Sequence, residues 1–254
     1  MTKTYSGIKF FAIIVSIILL IPISINWYSF ITRSFSDDVD KNDTPYTSLE
    51  YTVLTDSNTT FMLLFDSTVA IGKCNLSQPK NISIPEKVCI RGKEYTVTVI
   101  GKFAFKDCSN LTNIEIPESI ESIGSSAFEG CFNLTNIEIP ESVDSIGKSA
   151  FENCSDLTNI EIPSGVTSIE ESAFQGCYSL KNIKIPKSVT YIGESAFERC
   201  SSLMSIKIPK SVTYIGEWAF YGCINLDVVI DNSKDNMVIG EYAFNGCKSV
   251  RYTK

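Results

Sequence analysis

The chain has 254 residues, with 22 Lys+Arg against 29 Asp+Glu for a formal net charge of -7, and it contains no histidine. Without histidine there is no Ser-His-Asp triad, no Cys-His dyad and no HExxH zinc site. Residues 1–36 carry only Lys3, Lys9 and Arg33 as charges, so the remainder holds 19 basic against 29 acidic side chains, a balance of -10 that argues against nucleic acid as a partner.

Phe10 to Ile25 are apolar apart from Ser16, Pro22 and Ser24, and they follow Lys3 and Lys9. A basic start ahead of an apolar run is the pattern of a secretory signal peptide or a signal anchor. As a helix this run covers about 24 Å, short of a hydrocarbon core of about 30 Å. Extended through Asn26, Trp27, Tyr28 and Phe30 to Ile31 it reaches about 33 Å and would span, with Trp27 and Tyr28 at an interface. No small-x-small cleavage site follows directly, and Ser34-Phe35-Ser36 is distant. A transmembrane-type segment over 1–33 is expected, as anchor or as cleaved signal, and it would make the membrane contact. Lys3 and Lys9 before it and Arg33 and Lys41 after it leave its orientation open. Residues 34–48 are polar, contain Pro45 and read as a linker.

Cysteines at 108, 131, 154, 177, 200 and 223 recur every 23 residues, and another follows at 247. A fixed period of this size marks a solenoid. Residues 101–254 divide into seven units of 23–24 residues, led in by a capping segment over 49–100. Every unit carries Ala-Phe ahead of its cysteine, from Ala104-Phe105 to Ala243-Phe244. The Leu-x-x-Ile-x-Ile stretch (Leu180, Ile183, Ile185) ends in alternation, so it predicts a short strand with its isoleucines facing the core. Stacked copies predict a parallel sheet. Proline (Pro117, Pro140, Pro163, Pro186, Pro209) cannot donate a ladder bond and ends the strand. Ile-Gly then returns the chain, its glycines suiting a tight turn, although Glu170 stands at that position in one unit. Ser-Ala-Phe builds the opposite wall, as a short helical turn or an irregular one. After Cys223 the pattern slips, with Asp231 where an isoleucine belongs, and a one-residue bulge or loop is expected around 231–236.

The pattern Leu-x-x-Ile-x-Ile-Pro-x-x-Val-x-x-Ile-Gly-x-x-Ala-Phe-x-x-Cys resembles the BspA-type, or Treponema-type, leucine-rich repeat. The resemblance covers residues 82–250 closely, and residues 50–101 resemble the segment that usually precedes such repeats. It implies a leucine-rich-repeat right-handed coil, with a parallel β-sheet on one face and short helical or irregular turns on the other. It also implies a cell-surface protein without catalytic residues. Members of that family serve as adhesins in mucosal bacteria and protists, and some bind extracellular-matrix proteins, so a host or matrix protein is the implied partner.

Candidate functional residues lie on the exposed strand positions. One column reads Asn113, Asn136, Asn159, Asn182, Ser205, where stacked amides can hydrogen-bond along the column or recognise a polar partner. Its neighbour reads Glu115, Glu138, Glu161, Lys184, Lys207, and the position after proline (Glu118, Glu141, Ser164, Lys187, Lys210) changes sign at the same place. Residues 101–163 hold 3 basic against 11 acidic side chains, and residues 186–254 hold 8 against 7. A sign-divided face can steer a partner or bring two solenoids together antiparallel. Neighbouring glutamates at a spacing of about 5 Å imitate a glycosidase pair, but that spacing follows from the repeat itself. The cysteines lack the CxxC spacing of zinc sites, and in-register side chains suit disulfide geometry poorly, so they read as buried free thiols. Cys74 and Cys89, outside the register, could pair with each other. Neither metal nor cofactor is called for.

Overall fold

The computed structural model describes residues 53–54, 59–63, 68–74, 80–90 and 92–253. The segment and linker expected over 1–48 lie outside these residues. No helix among the described residues is long and apolar enough to cross a membrane.

Residues 48–254 form one compact unit. Its amino-terminal part is a small sheet. Val53–Leu54, Thr59–Leu63 and Thr68–Cys74 pair antiparallel in turn, and Thr68–Cys74 then runs parallel to Lys93–Ile100. Lys87–Ile90 pairs antiparallel with the same strand, through a turn at which Gly92 takes a φ of 79°. Lys93–Ile100 passes its edge directly to the first repeat strand, Ser122–Ile123.

From there the chain is a parallel β-solenoid, and one apolar position per coil repeats through its interior. Phe105, Phe128, Phe151, Phe174, Phe197, Phe220 and Phe244 stack in one column, with ring centroids 5.1–5.5 Å apart and planes within 10°. That spacing is close to the distance between hydrogen-bonded strands, so the backbone ladder sets the ring stack. Leucine, isoleucine, alanine and cysteine columns pack around it, nearly all of them fully buried.

The expected single sheet is in fact two strand columns. The more regular one has a two-residue strand in every coil, ending at the isoleucine of the Ile-Gly bend: Ser122–Ile123, Ser145–Ile146, Ser168–Ile169, Tyr191–Ile192, Tyr214–Ile215 and Val238–Ile239. The Leu-x-x-Ile-x-Ile column is thinner. It pairs as strands at its ends, Asn81–Ser83 with Asn113–Glu115 and Ser205–Ile208 with Asp227–Ile230 and then Ser249–Tyr252. Between these it is held by single bridges, Asn136 to Asn159 to Asn182 to Ser205. Proline after the second isoleucine removes a ladder donor in each middle coil, which keeps the pairing short.

The opposite wall contains no helical turn. Two residues per coil take left-handed backbone. One precedes Ala-Phe (Phe103, Ser126, Ser149, Ser172, Ser195, Trp218, Tyr242; φ 51–61°) and the other precedes the cysteine (Asp107, Gly130, Asn153, Gly176, Arg199, Gly222, Gly246; φ 59–85°). An α-helix needs negative φ throughout, so no helix forms here. Alternate N–H groups close short turns within the coil, as from Ala127 to the Gly124 carbonyl at 3.2 Å, and those between them reach the next coil, as from Phe128 to the Ala150 carbonyl at 2.8 Å. The one helical element among the described residues is the 3-10 turn Lys234–Asn236.

The Ile-Gly glycines do not need positive φ. Gly124, Gly147, Gly193, Gly216 and Gly240 sit so close to the preceding coil that a Cβ would lie 2.3–2.7 Å from a backbone nitrogen. Glu170 carries that Cβ, and the ladder stops there. The bonds Gly124 N to Ile100 O, Gly147 N to Ile123 O, Gly193 N to Ile169 O and Gly216 N to Ile192 O are 2.7–2.9 Å long. Ser145–Ile146 and Ser168–Ile169 do not pair, and the sheet divides between them. The same coil lacks a second tie. Ser119, Ser142 and Ser188 each donate to a carbonyl of the previous coil at 2.6–2.7 Å, and Gly165 occupies their position here.

At the carboxyl end the core stays filled, contrary to the slip expected after Cys223. Val228 and Ile230 align with Ile206 and Ile208 and are fully buried. The coil drops one residue between Leu226 and Val228 and regains two in the loop around Lys234–Asn236, because Ile239 pairs with Ile215. Asp231, standing where proline would, donates a ladder bond to the Ile208 carbonyl at 2.9 Å.

Candidate functional site

All ten strand-column residues singled out in the sequence are exposed: Asn113, Glu115, Asn136, Glu138, Asn159, Glu161, Asn182, Lys184, Ser205 and Lys207. The buried isoleucines between them (Ile114, Ile137, Ile160, Ile183, Ile206) fix which way the flanking residues face, since side chains alternate across a strand. From Asn136 to Ser205 the register is one residue per coil without a shift. Between the Asn113 and Asn136 coils the column's backbone link is one bond of 3.4 Å, from Thr135 N to Thr112 O, with the Thr135 hydroxyl 3.3 Å from the same carbonyl.

The asparagine column is not an amide-to-amide ladder. Asn159 Nδ2 donates to Thr158 Oγ1 at 3.2 Å, and that hydroxyl lies 3.2 Å from Asn136 Oδ1 and 3.2 Å from the Thr135 carbonyl. Thr112 and Thr135 repeat the reach to the previous coil's carbonyl, at 2.8 Å and 3.3 Å. The threonines one position earlier therefore do the stitching. Sequence reasoning passed over them because an exposed Thr-Asn pair looks the same whichever side chain bridges the coils.

The charged columns keep the sign change read from the sequence, and a basic side chain returns two coils on, since Arg251 pairs in register with Val229, the successor of Lys207. Two groups near the ends are already satisfied within the chain. Lys207 Nζ lies 3.5 Å from Asp231 Oδ2. Asp227, which takes the asparagine position, accepts from Lys248 Nζ and Ser249 Oγ, each at 2.6 Å, and these bonds hold its carboxyl below the usual range. Beside the column, Glu141 accepts from the backbone and hydroxyl of Ser164 at 3.1 and 2.9 Å, which likewise lowers its pKa.

The repeat cysteines are free thiols, buried from Cys108 to Cys223 and half-buried at Cys247. Cys89 is free and exposed, and the side chain of Cys74 lies outside the described residues.

Buried apolar columns, short parallel strands and one short turn per 23 residues define a leucine-rich-repeat β-solenoid. The model of the BspA-type leucine-rich repeat region matches residues 80–203 and 167–254, in six copies. The chain belongs to this family. Among solved structures it is similar to a leucine-rich repeat protein from T. pallidum, at 29% identity over 76% of this chain and 88% of that one, with a TM-score of 0.68. A leucine-rich repeat protein from Bacteroides ovatus is 28% identical, with a TM-score of 0.61, over 78% of this chain and 58% of its own. One from Eubacterium ventriosum shares the fold at 24% identity and a TM-score of 0.59, over 75% of this chain and 50% of its own. The chain thus spans about half the length of these last two. No curated protein matches it.

Proposed function

We propose that the protein is a non-enzymatic binding module that receives a protein ligand on its exposed strand columns, displayed at the cell surface by its amino-terminal segment. The observation that supports this most is the register of the two columns. Asparagines and charges repeat at one coil spacing on a face whose shape is fixed by buried isoleucines beneath. The matching partner presents basic groups toward Glu115, Glu138 and Glu161 and acidic groups toward Lys184 and Lys207, which steers orientation as well as encounter. A host or matrix protein fits the family resemblance, and surface display fits the apolar segment near the start of the chain. Charge reversal of Glu115, Glu138 and Glu161 to Lys tests the face: ligand binding drops while the melting temperature holds, and unchanged binding refutes it. Protease shaving of intact cells tests display. Loss of a tag placed after Lys254, with a cytosolic control intact, is expected; protection until lysis contradicts it.

A second reading rests on the same sign change. The charged column becomes self-complementary when two copies lie antiparallel, so the module would self-associate as a structural scaffold. Sedimentation of the full chain then gives a concentration-dependent mass that falls in high salt. A salt-independent monomer rejects this reading.

A further inference from the structure

We infer that the turn wall of the last coils holds a second binding site, an aromatic cleft for a neutral saccharide. Trp218, Tyr221 and Tyr242, together with Glu198 and Asn245, line a cleft of about 490 Å³. It lies on the turn columns, which share no residue with the exposed strand columns. Four consecutive coils carry serine before Ala-Phe (Ser126, Ser149, Ser172, Ser195), and the next two carry Trp218 and Tyr242. Three residues after these, the column Glu129, Glu152, Gln175, Glu198 gives way to Tyr221 and Asn245.

The aromatic rings are only partly used by the fold. Trp218, Tyr221 and Tyr242 remain 38%, 37% and 50% exposed, so each still presents a substantial apolar area to water. Trp218 and Tyr242 also sit at φ of 51° and 56°, a backbone region that bulky side chains rarely occupy. All seven coils take this backbone at the position, so the fold sets the φ; serine meets it in four of them, and the rings are what the last two coils add. The only other ring in that column, Phe103, has a local partner: Lys102 and Lys106 lie over it, with Nζ 4.9 and 5.2 Å from its centroid.

The polar groups choose the ligand. Glu198 Oε2 accepts from Gln175 Nε2 at 2.8 Å, and Oε1 lies 3.4 Å from Arg199 Nε. The charge of the carboxylate is already answered, and the Arg199 side chain, 62% exposed, repels a cation. What the cleft offers is flat ring faces beside an amide, tyrosine hydroxyls and the remaining acceptor sites of Glu198. A pyranose presents one C–H face to an aromatic ring and a rim of hydroxyls to such groups, which is the complement of this lining.

The test is titration of the full-length protein with neutral oligomers of glucose, mannose and N-acetylglucosamine, read by tryptophan fluorescence and calorimetry. At least one oligomer is expected to bind. Its affinity falls tenfold or more in Trp218→Ser and in Tyr242→Ser, variants that install the residue the fold uses in four other coils, with no loss of melting temperature. Tyr221→Glu, which restores the residue of the Glu129 and Glu152 coils, gives the same loss and serves if either serine variant fails to fold. Reversal of Glu115, Glu138 and Glu161 leaves saccharide affinity unchanged, so this site and the strand face fail or stand separately. No binding at millimolar oligomer, binding that survives Trp218→Ser, or binding of choline in place of every oligomer overturns the inference.

Discussion

Each repeat cysteine occupies a site that needs a small side chain and one weak donor. The Sγ atoms of Cys131, Cys154, Cys177, Cys200, Cys223 and Cys247 lie 3.0–3.3 Å from a phenylalanine carbonyl of the preceding coil. Alanine would fill the space without bonding that oxygen. Burial pushes five thiols up, Cys177 to about 12 and Cys247 to about 12, with Cys131, Cys154 and Cys200 raised as well. Protonated, enclosed thiols are poor nucleophiles. In the native protein iodoacetamide should modify Cys89 and leave Cys131 to Cys223 untouched until unfolding; rapid native labelling of Cys177 contradicts this. The sign of the pH effect follows from the same shifts. Between pH 9, the ordinary value, and about 12 the unfolded state loses thiol protons that the folded state keeps. Stability is therefore full below pH 9 and falls as pH rises, by up to about 1.4 kcal/mol per pH unit for each such thiol. Denaturant melts from pH 8 to 11 in reductant should show the decline, and a flat profile refutes it. Phe151, fully buried in the ring stack, should cost about 3–5 kcal/mol as Phe151→Ala. A melting shift near zero would place it outside the core.

The coil containing Gly165 and Glu170 is the weak element of the stack. It lacks the serine tie to the previous carbonyl and the ladder bond at the bend. A Cβ at Gly165 meets nothing closer than 3.5 Å, so Gly165→Ser has room to donate to the Val143 carbonyl. It should stabilise by about 1–2 kcal/mol, from one hydrogen bond and a stiffer unfolded chain. Glu170→Gly should restore the close approach and its ladder bonds, about 1 kcal/mol each, less about 0.5–1 kcal/mol for glycine entropy. Thermal melts of both variants check this; destabilisation by Glu170→Gly would show that the gap has another cause. The 23-residue period, the buried columns and the exposed strand positions were legible because apolar spacing alone determines them. The turn wall was not, because serine, asparagine and glycine preceding Ala-Phe and cysteine fit a helix end and left-handed backbone alike. The Ile-Gly strand column was missed since two residues carry no alternation to detect. The sequence marks its glycines only as turn residues, with Glu170 showing that positive φ is not obligatory; their role is proximity, something only the neighbouring coil reveals.

Over the whole unit, the break in the ladder falls one coil before the surface changes sign: it separates the Glu138 and Glu161 coils, and the sign turns between Glu161 and Lys184. Glu115, Glu138 and Glu161 precede the Glu170 bend, and Lys184 and Lys207 follow it. A partner lying along the strand columns crosses this seam and touches both charges, which predicts binding that weakens with salt. The acidic and basic halves should then contribute separately: Lys184→Glu with Lys207→Glu reduces affinity much as reversal of the three glutamates does, and recombining all five reversals does not restore it for the native ligand. Affinity measured across 50–500 mM salt checks the electrostatic part, and an unchanged value contradicts it. The exposure of the ten strand-column residues was legible in the sequence, and their use as a binding face is the proposal. The aromatic cleft was invisible there because its residues come from three different coils and two columns.

The most direct test of the central claim is photo-crosslinking on living cells, with a photoreactive residue placed at Glu138 or Glu161 and, as a control on another wall, at Glu194. The account predicts a discrete protein adduct from the two strand-column positions and none from Glu194. Equal labelling at all three, or adducts from Glu194 alone, would mean that the exposed strand columns are not the face that meets a protein partner.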